Sequence, residues 1–205
     1  LGFEVRWASL PPETGRAGHL IAIHPGDRGR RLLLLGHLDT VLQGEPFRRD
    51  GDRAWGSGVS DMKGGDVILI EALRALYATG ALQGRAITVV LTGDEERAGQ
   101  PHEVSRGPLL EAAKDVDVVL AFEGYATGYA VVGRRGSSSW RLEVEAKQAH
   151  SSGIFNAETG DGAVFELARI LDSFRRELPE PQLTFNPSLV IGGTNATLGK
   201  SILRI

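Results

Sequence analysis

The chain has 205 residues, 41% of them hydrophobic, and a formal net charge of −3. This length and composition allow one domain or two small ones with a real core, and the charge gives no reason to expect nucleic acid or an anionic membrane as a partner. The absence of cysteine excludes disulfides, thiolate zinc ligands and a cysteine nucleophile, and the longest apolar run is far below the ~20 residues of a membrane span.

Residues 1 to about 130 alternate strand-like and helix-like segments. Two segments are predicted helices, Gly65 to Thr79, which has a broad apolar face, and Gly107 to Lys114. The predicted strands are Phe3 to Trp7, Leu20 to His24, Arg31 to Leu35, Ala86 to Leu91 and Val116 to Phe122. This alternation predicts an α/β fold, a mostly parallel sheet with helices on both faces.

The pattern changes near residue 133, and we predict a domain boundary there, with one domain at 1–132 and a second at 133–205. Ser139 to Lys147 alternates apolar and polar residues, which is typical of a strand with one wet face. Gly162 to Leu178 is a predicted amphipathic helix and Leu183 to Ile191 another strand. These segments predict a separate α+β module, and both domains look truncated.

Acidic residues and one histidine stand where predicted strands stop. His37 and Asp39 follow the third strand, the acidic run 94–96 follows the fourth, and Glu123 follows the fifth. Ligands bind outside the carboxyl ends of strands in open α/β sheets, so these side chains are expected to converge. Asp61 adds a carboxylate from a glycine-rich stretch. Oxygen and imidazole ligands without thiolates suit zinc, manganese or cobalt.

Each motif alone has an ordinary interpretation. His37 beside Asp39 is compatible with a surface histidine, the acidic run with a solvated turn, and Glu123 with a strand end. The glycine-rich stretch around Asp61 could instead cradle a phosphate, but the sequence lacks both the P-loop and the dinucleotide-binding fingerprint. The joint occurrence of the motifs favours a metal site with a general base beside it.

Four ordered motifs resemble those of the zinc-dependent exopeptidase family of glutamate carboxypeptidase, which also includes acetylornithine deacetylase and succinyl-diaminopimelate desuccinylase. The motifs are Gly36-His37-Leu38-Asp39-Thr40-Val41, Ser60-Asp61-Met62-Lys63-Gly64-Gly65, Thr92-Gly93-Asp94-Glu95-Glu96 and Phe122-Glu123-Gly124. The resemblance covers nearly the whole chain. It implies a catalytic domain of the zinc-exopeptidase type, with residues 133–205 as an inserted lid and dimerisation domain.

The resemblance implies two zinc ions. His37 and Glu123 would bind the first, Glu96 would bind the second, and Asp61 would bridge both. In this family the bridging aspartate precedes a non-proline cis peptide, here Asp61-Met62. The family's last zinc histidine would lie past Ile205, so the sequence carries four of the five expected ligands, and the activity of these residues alone is doubtful.

The resemblance also implies catalytic roles. Glu95 would be the general base, Asp39 would orient the zinc-binding imidazole, and His150 would reach the active site of a partner subunit and stabilise the oxyanion. A homodimer through the second domain is therefore expected.

The expected reaction is glutamate-carboxypeptidase-like hydrolysis of an amide bond in a small peptide or N-acyl amino acid. An N-acyl amino acid deacylase of the acetylornithine deacetylase type is an alternative, and so is a non-catalytic fragment or homologue that serves dimerisation or binding. No signal peptide is visible, although the N-terminus looks truncated, and a cytoplasmic location is expected.

Overall fold

The computed structural model describes residues 1–42, 44–124, 128–192 and the backbone of 203–204. The chain divides into two compact units, Leu1–Ala130 and Val131–Ile205. The first unit holds a five-stranded sheet, and the second is built around one long helix.

The elements of the first unit follow the order expected for an α/β domain. Its strands are β1 (Glu4–Ser9), β2 (Gly18–His24), β3 (Arg28–His37), β4 (Arg48–Asp50), β5 (Arg53–Trp55), β6 (Arg85–Thr92) and β7 (Val118–Ala121). Its helices are α1 (Gly64–Ala78), α2 (His102–Ser105) and α3 (Gly107–Ala113). All five predicted strands and both predicted helices are present, with ends shifted by a few residues.

The main sheet has the order β1-β2-β6-β3-β7. Strands β6, β3 and β7 pair in parallel, whereas β2 is antiparallel to both β1 and β6. The loops around β2 explain this reversal, because they are too short for the helical crossover that a parallel connection needs. The predicted α/β class is confirmed, and four of the five strands of this sheet run in the same direction.

Alternate residues of the central strands supply two apolar clusters, one on each face of the sheet. On one face, Leu34 and Val89 pack with Leu69 and Leu73 of α1. On the other face, Leu33 and Val90 form a cluster that is covered by apolar side chains of α3. The side-chain period of two in a strand produces this division.

The second unit contains α4 (Ala163–Glu177) and a short antiparallel pair, β8 (Leu189–Val190) with β9 (Leu203–Arg204). Trp140 packs edge-on against Phe174 of α4, with ring centroids 5.8 Å apart. The predicted amphipathic helix is therefore present, with ends within a residue of those predicted.

The strand predicted over Ser139 to Lys147 was wrong, because the structure has no regular element there. A strand needs a hydrogen-bonded neighbour, and within the described residues none pairs with this segment. The strand predicted over Leu183 to Ile191 shortens to β8. Pro187 lies just before β8 and has no backbone N–H to donate to a neighbouring strand.

Within the residues that the structure describes, no helix is both long enough and apolar enough to cross a membrane.

Leu69 and Ile68 allow a matched test of which face of α1 packs against the sheet. Leu69 is 1% exposed in the core and its neighbour Ile68 is 62% exposed. We expect Leu69→Ala to lower the free energy of unfolding by about 2–5 kcal/mol, because it leaves a cavity. Ile68→Ala should change it by less than about 1 kcal/mol. Urea unfolding followed by circular dichroism measures both, and similar losses in the two variants would contradict this packing of α1.

Candidate metal centre

The parallel ladders place two predicted metal ligands next to each other. Leu35 of β3 is opposite Ala121 of β7, and the amide of Phe122 donates to the carbonyl of Leu35 over 3.1 Å. His37 lies two residues beyond Leu35, and Glu123 lies two residues beyond Ala121. Both side chains therefore leave the sheet at the same level and on the same face, and His37 Nε2 is 3.8 Å from Glu123 Oε1.

His37 is buried, and both of its ring nitrogens have oxygen neighbours. Nδ1 lies 3.0 Å from the carbonyl oxygen of Asp39, and Nε2 lies 2.9 Å from Asp61 Oδ1. Burial alone would lower the pKa of His37, but the hydrogen bonds to Asp61 and Asp39, with the charges of Glu123 and Glu95, raise it above its ordinary value. The carbonyl accepts from Nδ1–H, so Nε2 is the nitrogen that faces the carboxylates.

Asp61 reaches His37 from a distorted helical turn, Val59–Lys63, whose φ and ψ at Asp61 are −133° and 97°. Gly58 begins the turn with a φ of 72°, a left-handed value that favours glycine. The Asp61–Met62 peptide bond is cis, as the resemblance implies. Met62 is 1% exposed and its buried side chain holds the turn against the interior. The Asp61 side chain itself is exposed.

The start of α1 also requires a glycine at position 65. A Cβ on Gly65 would lie 1.9 Å from the carbonyl oxygen of Phe122. Only glycine therefore allows the first turn of α1 to pass so close to the end of β7, which carries Glu123.

Within the described residues, His37, Asp61 and Glu123 form a group whose ligand atoms all lie within 4.8 Å of one another. One imidazole and two carboxylates are a donor set that suits zinc and also accepts manganese or cobalt. These three residues fit a metal ion. Glu96, the fourth predicted ligand, does not belong to this group.

The acidic run after β6 is held by the carboxylate of Asp39. Asp39 Oδ1 accepts from the amide of Glu95 over 3.1 Å, and Oδ2 accepts from the amide of Glu96 over 3.0 Å. The Asp39 carboxylate lies 3.5 Å from His37 Nδ1, farther than the Asp39 carbonyl. β3 ends at His37, so Asp39 lies outside the strand and its carboxylate faces the next loop instead of a strand neighbour.

His150 belongs to the second unit, where it is exposed and caps a short helical turn, Ser151–Gly153. Its Nδ1 accepts from the amide of Ser152 over 3.2 Å and lies 2.9 Å from the Ser152 hydroxyl. The described contacts therefore involve only one of its two ring nitrogens.

Sequence reasoning missed Asp66, a carboxylate on the buried face of α1. It is 7% exposed, its Oδ1 has no hydrogen-bond partner, and a Cβ on Gly36 would lie 2.0 Å from that oxygen. Burial, opposed by the charge of His37 and reinforced by that of Glu123, raises the pKa of Asp66 to about 6. A signal exists in the sequence, because Asp66 shares its helical face with Leu69 and Leu73, where an acid is unusual.

The sequence profile of peptidase family M20/M25/M40 matches residues 33–196, most of the chain and all four motifs. The chain belongs to this family. The family predicted from the motifs is therefore confirmed.

Curated relatives agree with this assignment. Carboxypeptidase G2 of Pseudomonas sp. (strain RS-16) is 33% identical over 153 residues, which cover 71% of this chain and 36% of that protein. Succinyl-diaminopimelate desuccinylase of Gluconobacter oxydans (strain 621H) is 28% identical across 100% of this chain and 58% of its own length. A putative succinyl-diaminopimelate desuccinylase of Mycobacterium tuberculosis (strain CDC 1551 / Oshkosh) is 34% identical, with 71% of this chain and 40% of that protein covered. The chain thus spans between 36% and 58% of the length of these relatives.

The raised pKa of Asp66 predicts a pH dependence of stability in the metal-free protein. The ordinary pKa is 3.8 and the folded value is about 6, so the folded state binds this proton more tightly and stability falls as pH rises through that interval. Asp66→Asn removes the buried charge, and at pH 7 we expect it to be more stable than the wild type by about 2–3 kcal/mol.

The comparison uses urea unfolding with EDTA at pH 7 and near pH 4, where the advantage of Asp66→Asn should vanish. Glu71→Gln, which changes an exposed carboxylate of the same helix, is the control. Equal stability of the wild type and Asp66→Asn at pH 7 would mean that Asp66 is not destabilised by burial.

Proposed function

We propose that this protein is a zinc-dependent amidohydrolase that cleaves an amide bond in a small peptide or an N-acyl amino acid. The observation that carries the proposal is the group formed by His37, Asp61 and Glu123, with the Glu95–Glu96 loop tied to it through Asp39. The names of the relatives, a carboxypeptidase and two desuccinylases, support hydrolysis of an amide bond.

Four residues would hold two zinc ions. His37 and Glu123 would bind the first, Glu96 the second, and Asp61 both. His37 Nε2 lies 2.9 Å from Asp61 Oδ1, so a metal bound by both residues would displace a proton from this nitrogen. Bound zinc supplies Lewis acidity, which polarises the amide carbonyl and makes a water molecule acidic.

Glu95 is the proposed general base. Its side chain is exposed, and its negative charge contributes to the raised pKa of His37. A carboxylate in this position takes a proton from the attacking water and gives it to the leaving amine. Asp39 supports this role because its carboxylate holds the amides of both Glu95 and Glu96.

We also propose that the second unit is a lid and dimerisation domain, and that His150 of a partner subunit stabilises the oxyanion. Nδ1 of His150 accepts the amide hydrogen of Ser152. The neutral ring therefore carries its proton on Nε2, which is left as a donor. A donor aimed at a developing oxyanion is the type of interaction that contributes most to acyl-transfer catalysis.

Glu95→Gln tests the proposal, because the amide keeps the size of the side chain and cannot accept a proton. With zinc supplied, we expect kcat to fall by at least about 100-fold while zinc content is unchanged. Glu103→Gln, which changes an exposed glutamate of α2, should keep wild-type turnover. The substrates are a panel of dipeptides, N-acetyl amino acids and N-succinyl amino acids with free carboxylates.

The panel separates the alternatives. Turnover of dipeptides favours a carboxypeptidase, and turnover of N-acyl amino acids alone favours a deacylase. A zinc-loaded wild type that is inert on the whole panel favours a binding or dimerisation role, and full activity of Glu95→Gln would remove Glu95 from the mechanism.

A further inference from the structure

We propose that Arg106, together with Asp94 and His19, is a positioning residue that fixes the loop Gly93–Glu96 and so aims Glu95 and Glu96 into the metal centre. This inference rests on the proposed function for its catalytic consequence. The structural part of the proposal is that Arg106, Asp94 and His19 together hold the backbone of the loop. We call these three side chains the clamp, and their effect on the loop can be tested separately.

Asp94 is the anchor of the clamp. Although it stands in the acidic motif, its side chain is 0% exposed and faces the interior. Its carboxylate accepts from the amide of Gly99 over 2.9 Å, from the hydroxyl of Ser105, and from Arg106 Nη1 over 2.9 Å. Burial would raise the pKa of Asp94, but these three donors lower it. A buried carboxylate with three donors is ionised and firmly held.

Arg106 donates hydrogen bonds to two oxygen atoms of Asp94. While Nη1 donates to the Asp94 carboxylate, Nη2 donates to the Asp94 carbonyl oxygen over 3.1 Å. The planar guanidinium fixes the angle between its two donors, so it sets the orientation of the peptide that leads into Glu95. The Arg106 side chain is 26% exposed, which leaves its site reachable from solvent.

His19 holds the start of the loop. It is 0% exposed, its Nε2 lies 2.8 Å from the carbonyl oxygen of Ser105, and its Nδ1 accepts from the amide of Gly93 over 3.3 Å. An acceptor at Nδ1 and a carbonyl at Nε2 select the neutral tautomer with the proton on Nε2. His19 is thus a structural acceptor for the backbone of the loop.

The loop is held from both sides by side chains instead of a strand ladder. His19 binds the amide of Gly93 and Arg106 binds the carbonyl of Asp94, while Asp39 binds the amides of Glu95 and Glu96. The Cα–Cβ directions of both glutamates follow from this backbone. Loss of Arg106 is therefore expected to loosen the loop beyond the general cost of a lost ion pair.

The test compares Arg106→Ala with Arg74→Ala. Arg74 is also paired with a carboxylate at 2.9 Å, Glu71, but lies exposed on α1. Amide hydrogen exchange at Glu95 and Glu96, read by NMR, reports the clamp directly. Absorption spectra of bound Co²⁺ and the Co²⁺ dissociation constant report the metal centre.

In Arg106→Ala, exchange at both glutamate amides should be faster by about tenfold or more while the amide of Leu91 in β6 is unchanged. The Co²⁺ dissociation constant should rise by about tenfold with an altered spectrum. Millimolar guanidinium should restore both in Arg106→Ala and do nothing to Arg74→Ala. If Arg106→Ala does not fold, Arg106→Lys keeps the charge but not the two-pronged contact, and should show the same changes to a smaller extent.

A lower melting temperature of Arg106→Ala with unchanged exchange at Glu95 and Glu96 would overturn the clamp. Faster exchange with an unchanged Co²⁺ spectrum would overturn the positioning role. Failure of the wild type to bind Co²⁺ would contradict the proposed function instead, and the exchange rates alone would then decide whether the clamp exists.

Discussion

The parallel pairing of β3 with β6 and β7 determines where the polar groups of the candidate centre lie. In these ladders Leu35 faces Ala121 and His37 faces Thr92, so the imidazole, the acidic loop and Glu123 leave the sheet side by side. A slip of one residue in either ladder would move these side chains to the opposite face. The two apolar clusters prevent that slip, because each accepts only alternate residues of the central strands. The core therefore sets the geometry of the site as well as the stability of the domain.

The same convergence creates an electrostatic imbalance that a cation would relieve. Without a metal, His37 has a raised pKa because carboxylates surround it, and Asp66 has a raised pKa because it is buried and close to Glu123. In both cases a bound proton offsets negative charge in a region of low solvent exposure. A metal ion at His37, Asp61 and Glu123 would replace one proton and lower the affinity of the other site for its own. Metal binding would therefore be coupled to protonation at this end of the sheet.

The sequence predicted what depends on local patterns. Apolar runs bounded by glycine and polar residues located every strand of the main sheet, and ordered motifs located the candidate ligands. The strand over Ser139 to Lys147 was predicted wrongly, because pairing depends on a distant segment that alternation does not reveal. The role of Asp94 could not be predicted either: its partners Ser105, Arg106 and His19 lie 11, 12 and 75 positions away in the chain, and only the folded structure brings them together.

Anomalous diffraction at the zinc edge, from crystals of the zinc-loaded protein, tests the central claim most directly. We predict one zinc peak beside His37, Glu123 and Asp61, and a second peak beside Asp61 and Glu96. Zinc found only at exposed histidines such as His102, with no peak beside His37 Nε2, would contradict it.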